Sequence, residues 1–361
     1  MNRILLFTRC MGSGGTETVI IQLAETYRDA GFHVCVCAED GPGADPIRAL
    51  GIPFYGIPDI QNKNPGVMLK ALGTLCSVLR REKINVVHTH HRMAAFYARL
   101  LRPFFRFVFL NNVHNTFTDK KRLTRLALGG AENIAVGNAV KENMVRDYGI
   151  PEDRIRVIYN AVKAPAPLTC KDPLLEELHR RGRFIVGNVG RINTQKGFEY
   201  YIEAAKLLKE EGLPITCLII GEGVREEEMK ARVRAEGLED TVIFTGFRTD
   251  VTDVMAQCDL TVLSSLWEGF PLTPIEAFSV GRTMVATDVP GTMEIVKDGE
   301  NGLIVPAKDP GAIARAVKSL YEDPGLRQRL EAGALGTYRE KFSYDSFRDN
   351  YLGLLAQLTK G

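Results

Sequence analysis

Residues 2–37 read NRILLFTRCMGSGGTETVIIQLAETYRDAGFHVCVC, and the order of residue types in this stretch decides the fold. An apolar run at 4–7 fits a short strand covered on both faces, and Gly12-Ser13-Gly14-Gly15 interrupts it. From 17 to 30 the apolar residues recur at helical spacing, and 33–37 returns to a strand pattern. Strand, glycine loop, helix and strand make a βαβ unit, the building block of a parallel sheet. The opening apolar run is too brief for a signal h-region and meets the glycine loop at once, so it reads as a first strand and not as a targeting peptide.

The same alternation continues outward. Apolar runs at 86–88, 107–111 and 134–136 separate helix-like segments at 67–82, 93–101 and 140–148. After a run at 155–159, a stretch rich in Pro and Ala at 160–167 breaks the periodicity and reads as an interdomain hinge, with the boundary near 164. Beyond it the pattern restarts, with strands at 184–189, 216–221, 242–245, 260–263 and 283–286 and helices at 197–211, 225–236 and 274–280. The expected fold is α/β, with two doubly wound parallel-sheet domains at 1–164 and 165–342 facing across a cleft. A tail at 343–361, with an amphipathic helix at 343–358, is expected to pack back on the first domain. Ligands of such domains bind at the carboxyl ends of the strands.

Composition narrows the function. With 45% apolar residues among 361, the chain can bury a substantial core. Its 46 basic and 44 acidic side chains nearly balance, so no overall field draws it to nucleic acid, and affinity for an anionic partner must be local. Seven scattered cysteines, Cys10, Cys35, Cys37, Cys76, Cys170, Cys217 and Cys258, read as reduced thiols of a cytosol, with Cys35 and Cys37 as small core residues of a strand. Neither Cys-x-x-Cys nor His-Glu-x-x-His occurs, so no protein-held metal is expected. No run approaches the ~18 to 20 apolar residues needed to span a bilayer.

The first glycine loop, between a strand and a helix, favours an anion through backbone amides and helix dipole. A dinucleotide fingerprint would need glycine where Glu17 stands, so a dehydrogenase reading fails there, although Glu39 or Asp40 supplies the acid expected after the second strand. In the second half, Gly190-Arg191 and Lys196-Gly197 set two cations at one strand-to-helix turn. They suit a diphosphate, and by themselves they equally suit two solvated surface charges. Further on, Glu268-Gly269-Phe270-Pro271-Leu272-Thr273-Pro274-Ile275-Glu276-Ala277 carries two carboxylates around a helix start. Thr273, Pro274 and Glu276 read as a capping box, which is also the structural alternative for Glu276. The amides of Leu272 and Thr273 suit a phosphate, and either carboxylate suits sugar or ribose hydroxyls.

Taken together, Gly190-Arg191 with Lys196-Gly197, Glu268-x7-Glu276, the loop from Asp288 to Glu294 and Gly302-Leu303 resemble the retaining glycosyltransferase family 4, most strongly from 186 to 306. The resemblance implies a GT-B fold, a nucleotide-sugar donor held by the C-terminal domain, an acceptor held by the N-terminal one, retention of configuration, and no cofactor or protein-bound metal. By position it makes Arg191 and Lys196 the diphosphate clamp, Glu276 the partner of the ribose hydroxyls, Glu268 a neighbour of the donor sugar, and Leu272 and Thr273 amide donors to phosphate. It puts Gly246-Phe247-Arg248 at the base and Gly14 and Gly15 in a loop that approaches phosphates and acceptor. It also implies a histidine near the donor sugar at the strand end Val86-Val87-His88-Thr89-His90-His91, where His90 is the choice and His88 and His91 read as satisfied by backbone.

Two departures stand out: Asn160-Ala161 in place of Asn-Gly, and a single glycine in Pro290-Gly291-Thr292-Met293-Glu294. The implied chemistry is same-face attack by an acceptor hydroxyl, with diphosphate as leaving group and its charge stabilised by the two cations. A UDP-sugar is the favoured donor and a GDP-sugar the second choice. A sugar-nucleotide epimerase or hydrolase of the same fold, and a non-enzymatic nucleotide-sugar-binding subunit, are the competing readings. The acceptor is left open among sugars, lipid-linked saccharides of cell-envelope or capsule assembly, and small molecules. The segments from Arg99 to Arg106 and from Lys120 to Leu128 suit either an anionic lipid surface or, respectively, the lead into a buried strand and a solvated helix face. The expected location is the cytoplasm, free or at the inner face of the membrane.

Overall fold

The computed structural model describes residues 2–12, 14–166 and 171–359. Ser13 of the glycine loop, Pro167 of the expected hinge and Cys170 lie outside them. Two compact units emerge, one of residues 1–160 and 345–361, the other of residues 161–344. The division falls after Asn160 because the chain just beyond it is tied into the second unit: Val162 N–H donates to the Phe342 carbonyl at 3.4 Å, and the Tyr338 hydroxyl donates to the Val162 carbonyl at 3.1 Å.

In the first unit, strands β1 (Arg3–Cys10), β2 (His33–Glu39), β3 (Phe54–Gly56), β4 (Val86–Thr89), β5 (Val108–Val113), β6 (Glu132–Ala135) and β7 (Ile155–Val157) form one parallel sheet in the order β3-β2-β1-β4-β5-β6-β7. In the second, β8 (Phe184–Val189), β9 (Ile215–Ile220), β10 (Val242–Gly246), β11 (Leu260–Leu263), β12 (Met284–Thr287) and β13 (Leu303–Val305) form another in the order β10-β9-β8-β11-β12-β13. Both are Rossmann-like. In each, the strand order reverses next to the first strand, so the crevices between β1 and β4 and between β8 and β11 are where a ligand is best received.

The apolar runs became strands because helices cover both faces. All six residues of β9 are buried. On one side Phe198, Tyr201, Ile202 and Ala205 of the helix Phe198–Glu210 pack with Ile313 and Val317 of the helix Pro310–Glu322. On the other, Leu175 and Leu178 pack with Ile185, Leu218 and Cys258. Cys35 and Cys37 are both fully buried, and burial pushes the Cys37 thiol up to about 12, so they serve as core residues. The last helix, Tyr344–Thr359, buries Phe347, Tyr351, Leu354 and Leu355 at helical spacing, and all of them belong to the first unit. Among the described residues no helix is long and apolar enough to cross a membrane.

One local expectation fails. Thr273 does not cap its helix: the helix runs Thr273–Ser279 with Leu272, itself in helical geometry, at the N-cap, and no side chain caps it. With Leu272 already helical, Thr273 falls in the first turn, where its hydroxyl no longer faces the amides a cap would satisfy.

Candidate active site

In the second unit the loop after β8 carries Arg191 and Lys196. Asn193 opens a short turn by accepting from the Lys196 N–H at 3.2 Å. Gly197 closes it at φ 60, where a Cβ would stand 2.3 Å from the Ser264 carbonyl oxygen, so only glycine lets this loop lie against the one after β11. Ser264 ties the seam from the other side, donating to the Lys196 carbonyl at 2.8 Å and accepting from Asn188 Nδ2 at 2.9 Å. The Lys196 methylenes fold across Gly190, 3.0 Å from where its Cβ would be, which keeps the lysine stem beside the backbone of Arg191. Arg191 itself is exposed.

Lys196 Nζ meets Glu268 Oε1 at 2.7 Å, with side-chain exposures of 16% and 7%. Ser265 Oγ donates to the same carboxylate oxygen at 2.7 Å, and Gln195 Nε2 donates to the other at 3.2 Å and to the Trp267 carbonyl at 3.0 Å. The pair is largely removed from water, so solvent screens it little and Lys196 is held firmly against Glu268. Glu276, one turn into the uncapped helix, is partly covered, and burial pushes its carboxyl up to about 7 while Lys196 pulls it the other way. The crevice between β8 and β11 thus brings Lys196, Glu268 and Glu276 together beside the helix start at Leu272 and Thr273. This arrangement can receive an anion on Lys196 and the helix amides, and hydroxyls on the carboxylates.

At the end of β10, Gly246 adopts φ 72 and Phe247 leaves 56% of its surface in solvent. Arg248 is committed within its own neighbourhood, to Asp172 at 2.9 Å and to Asp250 through two bonds of 2.6 and 2.7 Å, so its guanidinium is a brace under the loop.

The first unit answers with a cluster of histidines. A cavity of about 240 Å³ opens between the ends of β1, β4 and β5, lined among others by Thr8, His90, Arg92, Asn111 and His114. His88 is fully satisfied inside the sheet, Nε2 donating to Asn112 Oδ1 at 2.8 Å and Nδ1 facing the Tyr27 hydroxyl at 3.3 Å. Asn112 Nδ2 in turn donates to the Tyr351 hydroxyl at 2.6 Å. His91 caps the next helix through Nδ1, which accepts from Met93 N–H at 3.1 Å. His90 differs: Nδ1 meets His114 Nε2 at 3.1 Å, while its own Nε2 is buried with no partner among the described residues. Burial holds all four imidazoles neutral, His88 and His91 down to about 4, His114 to about 3, and His90 well below the usual range. Gly14 and Gly15 are exposed at the start of the helix Gly15–Asp29, which has no side-chain cap.

His114 is the residue sequence reasoning passed over. The signal was present in Asn111-Asn112-Val113-His114-Asn115, polar groups at the end of an apolar strand, where a buried parallel strand should stay apolar. Among the described residues no group of three or more His, Cys, Asp or Glu side chains is arranged to hold a metal ion.

Comparison with known proteins bears on both units. Residues 13–164 match the family described as Glycosyltransferase Family 4, and residues 175–335 match Glycosyl transferases group 1. The lipopolysaccharide core biosynthesis mannosyltransferase LpsB of Rhizobium meliloti is 35% identical over 334 residues, 89% of this chain and 86% of that one. The UDP-Gal:alpha-D-GlcNAc-diphosphoundecaprenol alpha-1,3-galactosyltransferase of Escherichia coli is 26% identical over 336 residues, 86% of each chain. Among solved structures, Anabaena HepE in complex with UDP superposes with a TM-score of 0.86 at 22% identity, over 98% of this chain and 100% of that one, a likeness of fold.

Proposed function

This chain belongs to the family 4, group 1 glycosyltransferases, and on that premise we propose that it moves a sugar from a nucleotide-sugar donor to an acceptor hydroxyl with retention of configuration, in glycoconjugate synthesis. A UDP-sugar is the favoured donor. The observation that carries the reading is the desolvated Lys196–Glu268 pair at the crevice between β8 and β11, beside an uncapped helix start. A lone cation there would be costly to bury; held by Glu268, it is fixed in place before the donor arrives.

The roles follow from charge. Lys196 and Arg191 face the diphosphate and take up the charge that grows on it as the glycosidic bond breaks. Because a carboxylate repels phosphate, Glu268 serves the donor as an acceptor of sugar hydroxyl bonds, with Lys196 shared between the carboxylate and the phosphate. Glu276 accepts from the ribose hydroxyls, and the exposed ring of Phe247 offers a face to the base. On the acceptor side, the unpartnered Nε2 of His90 supports hydrogen bonding to a hydroxyl. The named activities of the relatives, a lipopolysaccharide-core mannosyltransferase and a galactosyltransferase acting on a diphosphoundecaprenol-linked sugar, support a glycolipid or oligosaccharide acceptor.

The test is product analysis in EDTA, with UDP- and GDP-sugars offered alongside glycolipid and oligosaccharide acceptors. The reading requires a glycosylated acceptor whose new anomeric centre keeps the donor configuration by NMR, with release of the nucleoside diphosphate. A sugar nucleotide altered or hydrolysed without transfer, or an inverted product, would overturn it.

A further inference from the structure

We propose that Glu17 reads the acceptor: its carboxylate accepts hydrogen bonds from hydroxyls of the acceptor's reacting sugar and turns away a ring that carries an acid group. The proposal deepens the glycosyltransferase reading and rests on it for taking the ligand of the first unit to be a sugar.

Glu17 is the residue that breaks the dinucleotide fingerprint, and nothing in the donor chemistry uses it. It stands in the first turn of the helix Gly15–Asp29. The helix dipole accounts for an acid at that place, but not for where its carboxylate points. The side chain folds back toward the end of β1: a Cβ on Gly12 would meet Glu17 Oε1 at 3.6 Å, and burial, then the nearby Glu17 carboxylate, push the Cys10 thiol up. No hydrogen bond or ion pair joins Glu17 to any of the described residues. It lines the 240 Å³ cavity at the ends of β1, β4 and β5 together with His90, whose buried Nε2 also lacks a partner among them. Two hydrogen-bonding groups on one wall are thus left for a ligand, in a cavity the size of a sugar ring.

Charge decides the class of sugar. Arg9 and Arg92 line the same cavity, but each is already matched, Arg9 by Asp59 through bonds of 3.0 and 3.3 Å and Arg92 by Asp119 at 2.7 Å. Glu17 has no counter-ion among the described residues, so the unmatched charge on this wall is negative. A carboxylate offers acceptor sites and no donor, which suits the neighbouring hydroxyls of a sugar. It repels a second carboxylate at the same short range. The ring that fits is a neutral hexose or N-acetylhexosamine, and a hexuronic acid does not fit.

Saturation-transfer NMR on the full chain, without any nucleotide, tests it. The neutral probes are the methyl glycosides of glucose, galactose, mannose and N-acetylglucosamine, and methyl glucuronide is the acidic one. The parent chain should saturate the ring protons of at least one neutral glycoside and leave the glucuronide untouched. Glu17→Ala should weaken the neutral glycoside by about tenfold or more, the worth of hydrogen bonds to a charged group. Glu17→Gln keeps the shape, removes the charge and should admit methyl glucuronide, a gain of binding that misfolding does not produce. No neutral glycoside bound by the parent, glucuronide bound as well as the neutral rings, or variants that bind as the parent does would overturn the proposal. Because the probes carry no nucleotide, each of these results leaves the donor reading, which UDP tests, standing.

Discussion

The two crevices share a topology and differ in chemistry. Between β1 and β4 burial holds His88, His90, His91 and His114 neutral, His88 between an amide and a hydroxyl and His90 against His114. Between β8 and β11 a lysine and a glutamate lie 2.7 Å apart as a mostly buried ion pair. Strand order supplies the same receptive edge to both. The loop residues decide what each edge receives, neutral hydrogen-bonding groups suiting hydroxyls and a fixed ion pair suiting phosphate. Function here is written in the loops over a repeated frame.

The largest expected effect comes from breaking the charged side. Lys196→Ala removes the buried cation and should lower kcat by about a hundredfold or more, as loss of one charge-stabilising contact commonly does. The same change leaves Glu268 buried without its counter-ion and should destabilise the fold by about 3 kcal/mol. Urea unfolding beside steady-state kinetics separates the two. Gly197→Ala comes next. Its φ of 60 and the 2.3 Å approach to Ser264 leave no room for a Cβ, and a destabilisation of about 1–3 kcal/mol should accompany lost turnover.

On the neutral side the comparison can be sharpened within one strand end. His88→Ala strands Asn112 and Tyr27 and should cost about 1–3 kcal/mol of stability. His90→Ala deletes a buried ring and leaves His114 Nε2 without its partner, so it too should cost about 1–3 kcal/mol, and it should in addition lower kcat/KM about tenfold through loss of the Nε2 group. Equal losses of kcat/KM in the two, measured on the folded proteins, would erase the distinction drawn between them.

The smallest effect is the pH response, whose sign differs between the crevices. From pH 6.5 down to about 4, His88 takes up a proton when unfolded but not when folded, so stability is lost as pH falls. From 4.5 up to about 7, Glu276 holds a proton when folded but not when unfolded, so its contribution is lost as pH rises. Relative to the parent chain, the melting midpoint of Glu276→Gln should therefore rise between pH 4.5 and about 7. Parallel curves would contradict the assignment.

Much of this was legible in the residue order. The strands that form the receptive edges are the apolar runs at 4–7, 86–88, 184–189 and 260–263, because a parallel strand covered on both faces has little freedom in composition. Lys196, Glu268 and Glu276 were legible as residues of one loop system, while Arg191 stands exposed. Their partners were not, since spacing names the loop a side chain sits on and leaves open which way it turns. So Lys196 was read toward phosphate and Glu268 toward sugar, while the fold joins them. The helices Pro310–Glu322 and Pro324–Lys341 went unread although both begin with Asp-Pro, and Asp309 and Asp323 do cap them. Thr273 shows the converse: a good capping sequence fails when the preceding residue is already helical.

The central claim is that the crevice between β8 and β11 receives a nucleoside diphosphate through Lys196, without a metal. Calorimetric titration of UDP into the parent chain and into Lys196→Ala, both in EDTA, tests it most directly, with GDP and ADP as alternatives in case the base differs. The account predicts saturable binding of one of the three to the parent chain and affinity at least tenfold weaker in the variant. No heat with any of them, binding that EDTA abolishes, or equal affinity in Lys196→Ala would contradict it.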